Sequence, residues 1–261
     1  MMEYNDLLEL LNSESERINS PQFIDADPIQ FPRRFETLQD IEIVAFLSAS
    51  IAWGNRKMIC HNCEKMLQLM DYQPYNYVMD CGYDDIHDRF NIHRTFFSDD
   101  FSFFLRGLNR IYNKYGSINA FAKSRHISEQ EFPAWELIRL MNEEFDAANT
   151  EYPTSKRCLP RDLSKTALKR INMALRWLVR NDGIVDMGVW DCLKPKDLYI
   201  PLDVHVGDTA RELGLLTRKA NDKTSVALLT AELRKMRPDD PVFYDFALFG
   251  IGIGAKYTDN E

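Results

Sequence analysis

Long apolar runs are missing from this sequence: none approaches the roughly 20 residues that a membrane-spanning helix needs, so no membrane contact is expected. A basic leader is missing too. Met1 to Glu9 carries Glu3, Asp6 and Glu9 and no lysine or arginine, unlike a secretory signal. Cysteine is scarce and odd in number, five in 261 residues. That reads as reduced thiols in a cytoplasmic protein rather than a disulfide framework. Cys60-His-Asn-Cys63 has no second pair to complete the four ligands of a structural zinc, and no cysteine cluster trails the chain to hold iron and sulfur. Neither a metal nor another cofactor is expected. Excess positive charge is also absent, with 32 basic against 40 acidic residues and a net charge of −8. A protein that coats nucleic acid with its whole surface needs the opposite balance. Repeats, low-complexity tracts and period-2 alternation of useful length do not occur.

What is present is enough apolar material for a core, 45% of residues with 12% aromatic, arranged with helical periodicity almost throughout. The fold class is therefore all-α, with roughly ten helices at ordinary lengths. A first amphipathic helix runs through Leu7, Leu8, Leu11 and Ile18 and ends near Pro21. Residues 22–35, with Pro28 and Pro32, read as an extended connector. Helices then follow from Asp40 to Ile51, from Asn55 to Met70, from about Asp99 or Asp100 to Gly116, and from about Ser128 to Ala148, broken or bent near Pro133. A strong helix spans about Asp162 to Arg180, followed by an irregular stretch, 183–202. Asp203 reads as an N-cap, as does Asn221 or Asp222, and the last helix starts at Pro241. Gly250-Ile-Gly-Ile-Gly-Ala-Lys256 mimics a phosphate loop but reads as a C-terminal turn, because too little chain follows to form a phosphate-binding helix.

The charge is uneven. Lys156, Arg157, Arg161, Lys165, Lys169, Arg170, Arg176 and Arg180 face only Asp162, a local balance of eight minus one, or +7. Two readings are open for this strip: a solvated helix face, or an anion-binding surface of the kind that grips a phosphate backbone.

Three segments carry a resemblance. Asp40-Ile-Glu-Ile-Val-Ala-Phe-Leu-Ser-Ala-Ser50, Lys169-Arg-Ile-Asn-Met-Ala-Leu-Arg-Trp177 and Ile200-Pro-Leu-Asp-Val-His-Val-Gly-Asp-Thr-Ala-Arg211 are similar, in that order, to segments of the helix-hairpin-helix DNA glycosylases. That superfamily includes the endonuclease III-like and 8-oxoguanine enzymes. Tyr244 to Gly250 resembles the helix that closes that fold, so the likeness covers about residues 40 to 252. Within the superfamily, the chain most resembles the bacterial group named for domain of unknown function 2400. The segments Ala26 to Ile29, Pro32 to Phe35, Ile51 to Lys57, Lys169 to Trp177 and Pro201 to Val206 match that group's recurring pattern.

The resemblance implies a two-lobed helical fold with a central cleft, residues 40–165 forming one lobe and residues 1–39 with 166–261 the other. It implies a DNA repair enzyme, a glycosylase or abasic-site lyase acting on duplex DNA with a damaged base or abasic site; without a trailing cysteine cluster, the iron–sulfur cluster of endonuclease III is not expected. Lys169 falls on the nucleophile and Asp203 on the carboxylate that steadies the charge developing on the sugar. An attacking lysine must be neutral, and Lys165, Arg170 and Arg176 are the cationic neighbours expected to favour that form. Ser50, Asn55, Arg56, Arg161, Lys165, Arg170 and Arg176 are candidate nucleic-acid contacts. Trp53, Trp177, His205 and Phe249 are candidate pocket residues, with His205 read as packing behind a helix start.

Three departures from the pattern stand out. Cys158 to Lys165 has no glycine where the superfamily's hairpin is glycine-rich. Ser50 replaces the glutamine that wedges into DNA. The 34 residues from Lys169 to Asp203 exceed the usual interval, so the two meet only if residues 183–200 loop out. The alternative is a non-catalytic relative whose cleft binds nucleic acid, a protein or a small molecule.

Overall fold

Twelve α-helices account for most of the computed structural model, which describes residues 3–155 and 157–254. Lys156, part of the basic strip, and residues 255–261, including Lys256, lie outside these. Helix α1 (Tyr4–Ile18) buries Leu7, Leu11, Ser15 and Ile18 along one stripe, the spacing that puts every fourth residue on one face. The stretch expected to be an extended connector is instead helical: α2 (Pro21–Ala26) and two 3-10 turns, Pro28–Gln30 and Pro32–Arg34. Each starts on a proline, whose fixed φ and missing N–H suit the first helical position. The residues read as breakers are therefore starters. Helix α3 (Leu38–Ser50) follows, buried from Ile41 to Ser50 and capped by Thr37. Next come α4 (Arg56–Leu69), capped by Asn55, and the short α5 (Pro74–Met79). A small antiparallel hairpin, β1 (Asn91–His93) with β2 (Phe96–Phe97), leads into α6 (Ser98–Tyr115). That helix stops at Gly116, whose φ of 77° is the left-handed geometry of a helix end.

Helices α7 (Ile118–Ser124) and α8 (Pro133–Ala148) complete the first part of the chain. The break expected near Pro133 is present, a 3-10 turn at Ile127–Glu129 preceding α8, which starts on Pro133. Residues 163–165 form a turn and the chain from there to Leu168 is irregular, so α9 (Lys169–Val179) begins at Lys169 and not near Asp162. Helices α10 (Val204–Glu212), α11 (Lys223–Met236) and α12 (Asp245–Gly252) follow, the first two capped by Asp203 and Asp222. Helix α1 packs on α12, α12 on α10, α9 on α3 and α8 on α6. The glycines that mimic a phosphate loop are packing residues. A Cβ on Gly250 would lie 2.7 Å from Ile18 Cγ1, and one on Gly252 would lie 2.7 Å from Thr209 Oγ1. They let α12 approach α1 and α10. Among the described residues, no helix is long and apolar enough to cross a membrane.

One buried carboxyl ties α3 to its surroundings. Glu42, fully buried, accepts hydrogen bonds from the Ile118 and Asn119 amides, both at 2.8 Å, from Trp190 Nε1 at 2.8 Å and from Tyr112 Oη at 3.2 Å. Burial pushes its pKa up to about 7, against the pull of those four donors. An unfolded glutamate titrates near about 4.3, so the folded value is raised. The stability linked to Glu42 is thus fully present below that unfolded value and is lost as pH climbs through about 7. Glu42→Gln brings an amide N–H against fixed N–H donors and is expected to cost about 1–3 kcal/mol. Urea titrations across pH 4 to 8 should show that loss together with a flatter pH dependence. A variant with unchanged stability and an unchanged profile would remove Glu42 from this role.

Candidate functional site

The segment between α9 and α10 decides the site. Met187 and Trp190 donate their amides to the carbonyls of Trp177 and Leu178, both at 2.8 Å. Residues 183–202 therefore fold back along the C-terminal end of α9 and return the chain to its N-terminal end. There Asp203 caps α10, its carboxylate accepting the Val206 amide at 3.0 Å, and Asn221 Nδ2 holds the Asp203 carbonyl at 3.1 Å. Lys169, first residue of α9, places Nζ 4.0 Å from Asp203 Oδ2 and 3.5 Å from Met173 Sδ. Both side chains are about a quarter exposed, 27% and 25%, which leaves them open to a ligand. Two residues 34 apart in sequence thus meet in one cavity.

That cavity has a volume of about 720 Å³, in the range of small-molecule sites. Its walls are largely aromatic. Phe23, Trp53, Phe246 and Phe249 line it together with Lys169, Asp203 and Asp245. Phe23 meets Phe246 and Phe249 edge-on, with centroids 5.5 and 6.4 Å apart. Trp53 is held from both sides. The Arg170 guanidinium lies 4.9 Å from its ring, and the His93 ring meets it edge-on at 4.8 Å. His93 Nε2 lies 2.9 Å from the Trp53 carbonyl and Nδ1 lies 2.8 Å from Asn62 Nδ2. A carbonyl only accepts, so Nε2 carries the proton and Nδ1 accepts from the amide. Burial pulls the His93 pKa down, consistent with that neutral ring.

The expected pocket residues divide. Trp53 and Phe249 line the cavity half-buried; Trp177 lines it from within the core, wholly buried, its indole N–H without an acceptor among the described residues. His205 also lines it but is exposed, which corrects its reading as a residue packed behind the helix start. Capping explains this: Asp203 turns inward to the amide of Val206, and the next two side chains, Val204 and His205, point outward.

The basic strip is corrected more deeply. Arg176 is 3% exposed and pairs with Asp186 at 3.2 Å and with Asp245. Arg180 pairs with Asp182, with Asp186 at 2.9 Å and with Asp240 at 2.8 Å. Arg161 pairs with Asp146 at 2.7 Å. Arg176 and Arg180 are buried in these pairs, so Arg176 presents nothing to a phosphate backbone, whereas Arg161 stays partly exposed in its pair. Arg170 is directed inward to the Ser50 carbonyl and Trp53, and burial lowers its pKa. Ser50 is 1% exposed, with its hydroxyl directed at the Cys158 carbonyl, so it presents nothing to a DNA stack. Asn55 is occupied as the α4 cap, accepting the Met58 amide at 3.2 Å. Arg56 lines the cavity, 5.2 Å from the Phe249 ring. Lys165 is exposed. Lys169 pairs with the Asp203 carboxylate, and Arg176 lines the same cavity.

Sequence reasoning missed Asp27, Asn221 and Asp245 as cavity residues. Asp245 is 6% exposed, and burial holds its carboxyl above the usual carboxylate range against the pull of Arg176 and Lys169. The recurring segments around Asp27 and Asp245 were visible, but their facing one cavity was not. No group of three or more His, Cys, Asp or Glu among the described residues could hold a metal ion.

Fold and cavity together define an all-helical protein with an aromatic chamber and a lysine–aspartate pair beside it. Residues 27–254 match the family described as "Protein of unknown function (DUF2400)", and the chain belongs to that family. No curated protein and no solved structure matches it.

Proposed function

We propose that this protein is a DNA base-excision enzyme of the helix-hairpin-helix glycosylase type, a glycosylase or abasic-site lyase with Lys169 as nucleophile and Asp203 as charge stabiliser. The observation that carries this reading is the 4.0 Å approach of Lys169 Nζ to Asp203 beside an aromatic cavity of about 720 Å³. A base extruded from the stack needs an apolar slot with aromatic faces. Here Phe23, Trp53, Phe246 and Phe249 supply the rings, and the helices of residues 40–165 and of the two chain ends form the lobes on either side. The Lys169 amine attacks C1′, the bond from C1′ to the base breaks, and the base leaves with the proton that the newly bonded nitrogen sheds. Asp203 faces the positive charge that builds on the sugar ring, from the N-terminus of α10 that it caps.

Asp203→Asn tests this. Asparagine caps a helix as well as aspartate does, so the Val206 bond and the fold persist while the charge is lost. Incision of a duplex carrying an abasic site or an oxidised purine is expected to slow by about 10²–10³. An unchanged rate would remove Asp203 from the chemistry. A wild-type protein that binds the duplex but never incises it would be a non-catalytic relative.

A further inference from the structure

The cavity holds a second polar feature, separate from the lysine–aspartate pair. Asp27 ends α2 and caps the 3-10 turn at Pro28, with Oδ1 accepting the Ile29 amide at 3.1 Å. It is 7% exposed, and the cavity it lines includes Phe23, Phe246 and Phe249. Its other oxygen, Oδ2, lies 3.8 Å from Arg56 Nη2, beyond hydrogen-bonding range, and so retains its acceptor capacity. Arg56, another lining residue, lies 5.8 and 5.2 Å from the Phe23 and Phe249 rings. An acceptor and a donor therefore sit side by side among aromatic faces. A polar group so placed in an apolar chamber discriminates strongly, because a ligand that fails to pair with it leaves it desolvated and unmatched.

We infer that Asp27, with Arg56 beside it, selects the base: the cavity takes a nucleobase that presents a ring N–H next to a carbonyl, as hypoxanthine, uracil and guanine-type bases do. This rests on the base-excision reading for its substrate but not for its test. Asp27 and Arg56 line the same cavity as Lys169 and Asp203, so with C1′ at the lysine–aspartate pair the hydrogen-bonding edge of the base is assigned to the other polar pair. The ring N–H donates to Asp27 Oδ2 and the carbonyl accepts from Arg56.

The cap makes the assignment testable. In Asp27→Asn the side-chain oxygen must remain on the Ile29 amide, so the NH₂ group replaces Oδ2 on the cavity side. Acceptor becomes donor without loss of the turn. The full-length protein is titrated with 2′-deoxyinosine, which carries N1–H beside C6=O, and with purine 2′-deoxyriboside, the same rings with a bare N1 acceptor. Quenching of tryptophan fluorescence reports binding, since Trp53 lines the cavity. The wild type is expected to prefer deoxyinosine by about tenfold or more. Asp27→Asn should reverse that order, and Asp27→Ser, which keeps a capping oxygen but sends nothing into the cavity, should erase it. The same order of preference in all three proteins, or no binding of either nucleoside, overturns the inference. Reversal without any base excision by the wild type would uphold Asp27 as the reader and overturn the enzymatic reading. Excision with no reversal would do the opposite.

Discussion

Borohydride added to this protein and a duplex containing an abasic site is expected to leave a permanent protein–DNA crosslink, and Lys169→Gln is expected to abolish it. The opened abasic sugar carries an aldehyde at C1′. The Lys169 amine adds to it, the carbinolamine loses water, and the resulting imine is reduced by hydride to a stable secondary amine. Lys169 is suited to this by position. It is the first residue of α9, it is partly exposed to the cavity, and Asp203 Oδ2 lies 4.0 Å from its Nζ. The ammonium sheds its proton to solvent before the amine attacks. Glutamine retains much of the side chain's length and its contact with Met173 but has no nucleophile, so the expected effect is complete loss of the crosslinked band on a denaturing gel. Equal trapping by Lys169→Gln would move the chemistry to another amine, Lys165 or Lys194 first. No trapping by the wild type on abasic sites or oxidised purines would end the covalent mechanism.

Replacing Arg176 is expected to have the largest effect on folding. Arg176 and Arg180, 3% and 4% exposed, are enclosed with Asp186 and Asp245, 2% and 6% exposed. Removing one partner of such a group leaves charge in the interior without compensation, a loss of about 3–5 kcal/mol. Arg176→Met preserves much of the volume and the packing over Phe246, whose ring lies 4.3 Å from the guanidinium, so the charge is what the comparison isolates. The sign with pH follows from Asp245. Burial already raises its pKa and Arg176 opposes that rise. In the variant the folded value climbs further above the unfolded one, so stability is lost progressively as pH rises from the unfolded aspartate range, near about 3.9. Urea titrations should therefore show a penalty at pH 8 that shrinks on acidification towards pH 5. The same penalty at both would assign it to lost packing.

The helices were legible in the sequence wherever a local rule sufficed. The stripe of Leu7, Leu11 and Ile18, the caps at Asn55, Asp203 and Asp222 and the stop at Gly116 each depend on residues within one or two turns. The elements that were not legible were those where one residue type serves opposite ends. Pro21, Pro28 and Pro133 start helical turns here, yet the same residue ends them elsewhere. Candidate residues were legible as types: Lys169, Asp203, Trp53 and Phe249 all line the cavity. Their environment was not.

The sequence by itself determined the all-α class, because hydrophobic period and capping chemistry are local. It also placed an aspartate at a helix start and a lysine within a helix expected to begin at about Asp162. Only the tertiary structure decided that these two meet, because the return of residues 183–202 along α9 depends on amides reaching the Trp177 and Leu178 carbonyls. The tertiary structure also decided that cations of a strip of +7 in the sequence are paired with distant acids. Arg176 finds Asp245 69 residues away and Arg180 finds Asp240 60 residues away, and Coulomb pairing depends on distance in space, not along the chain.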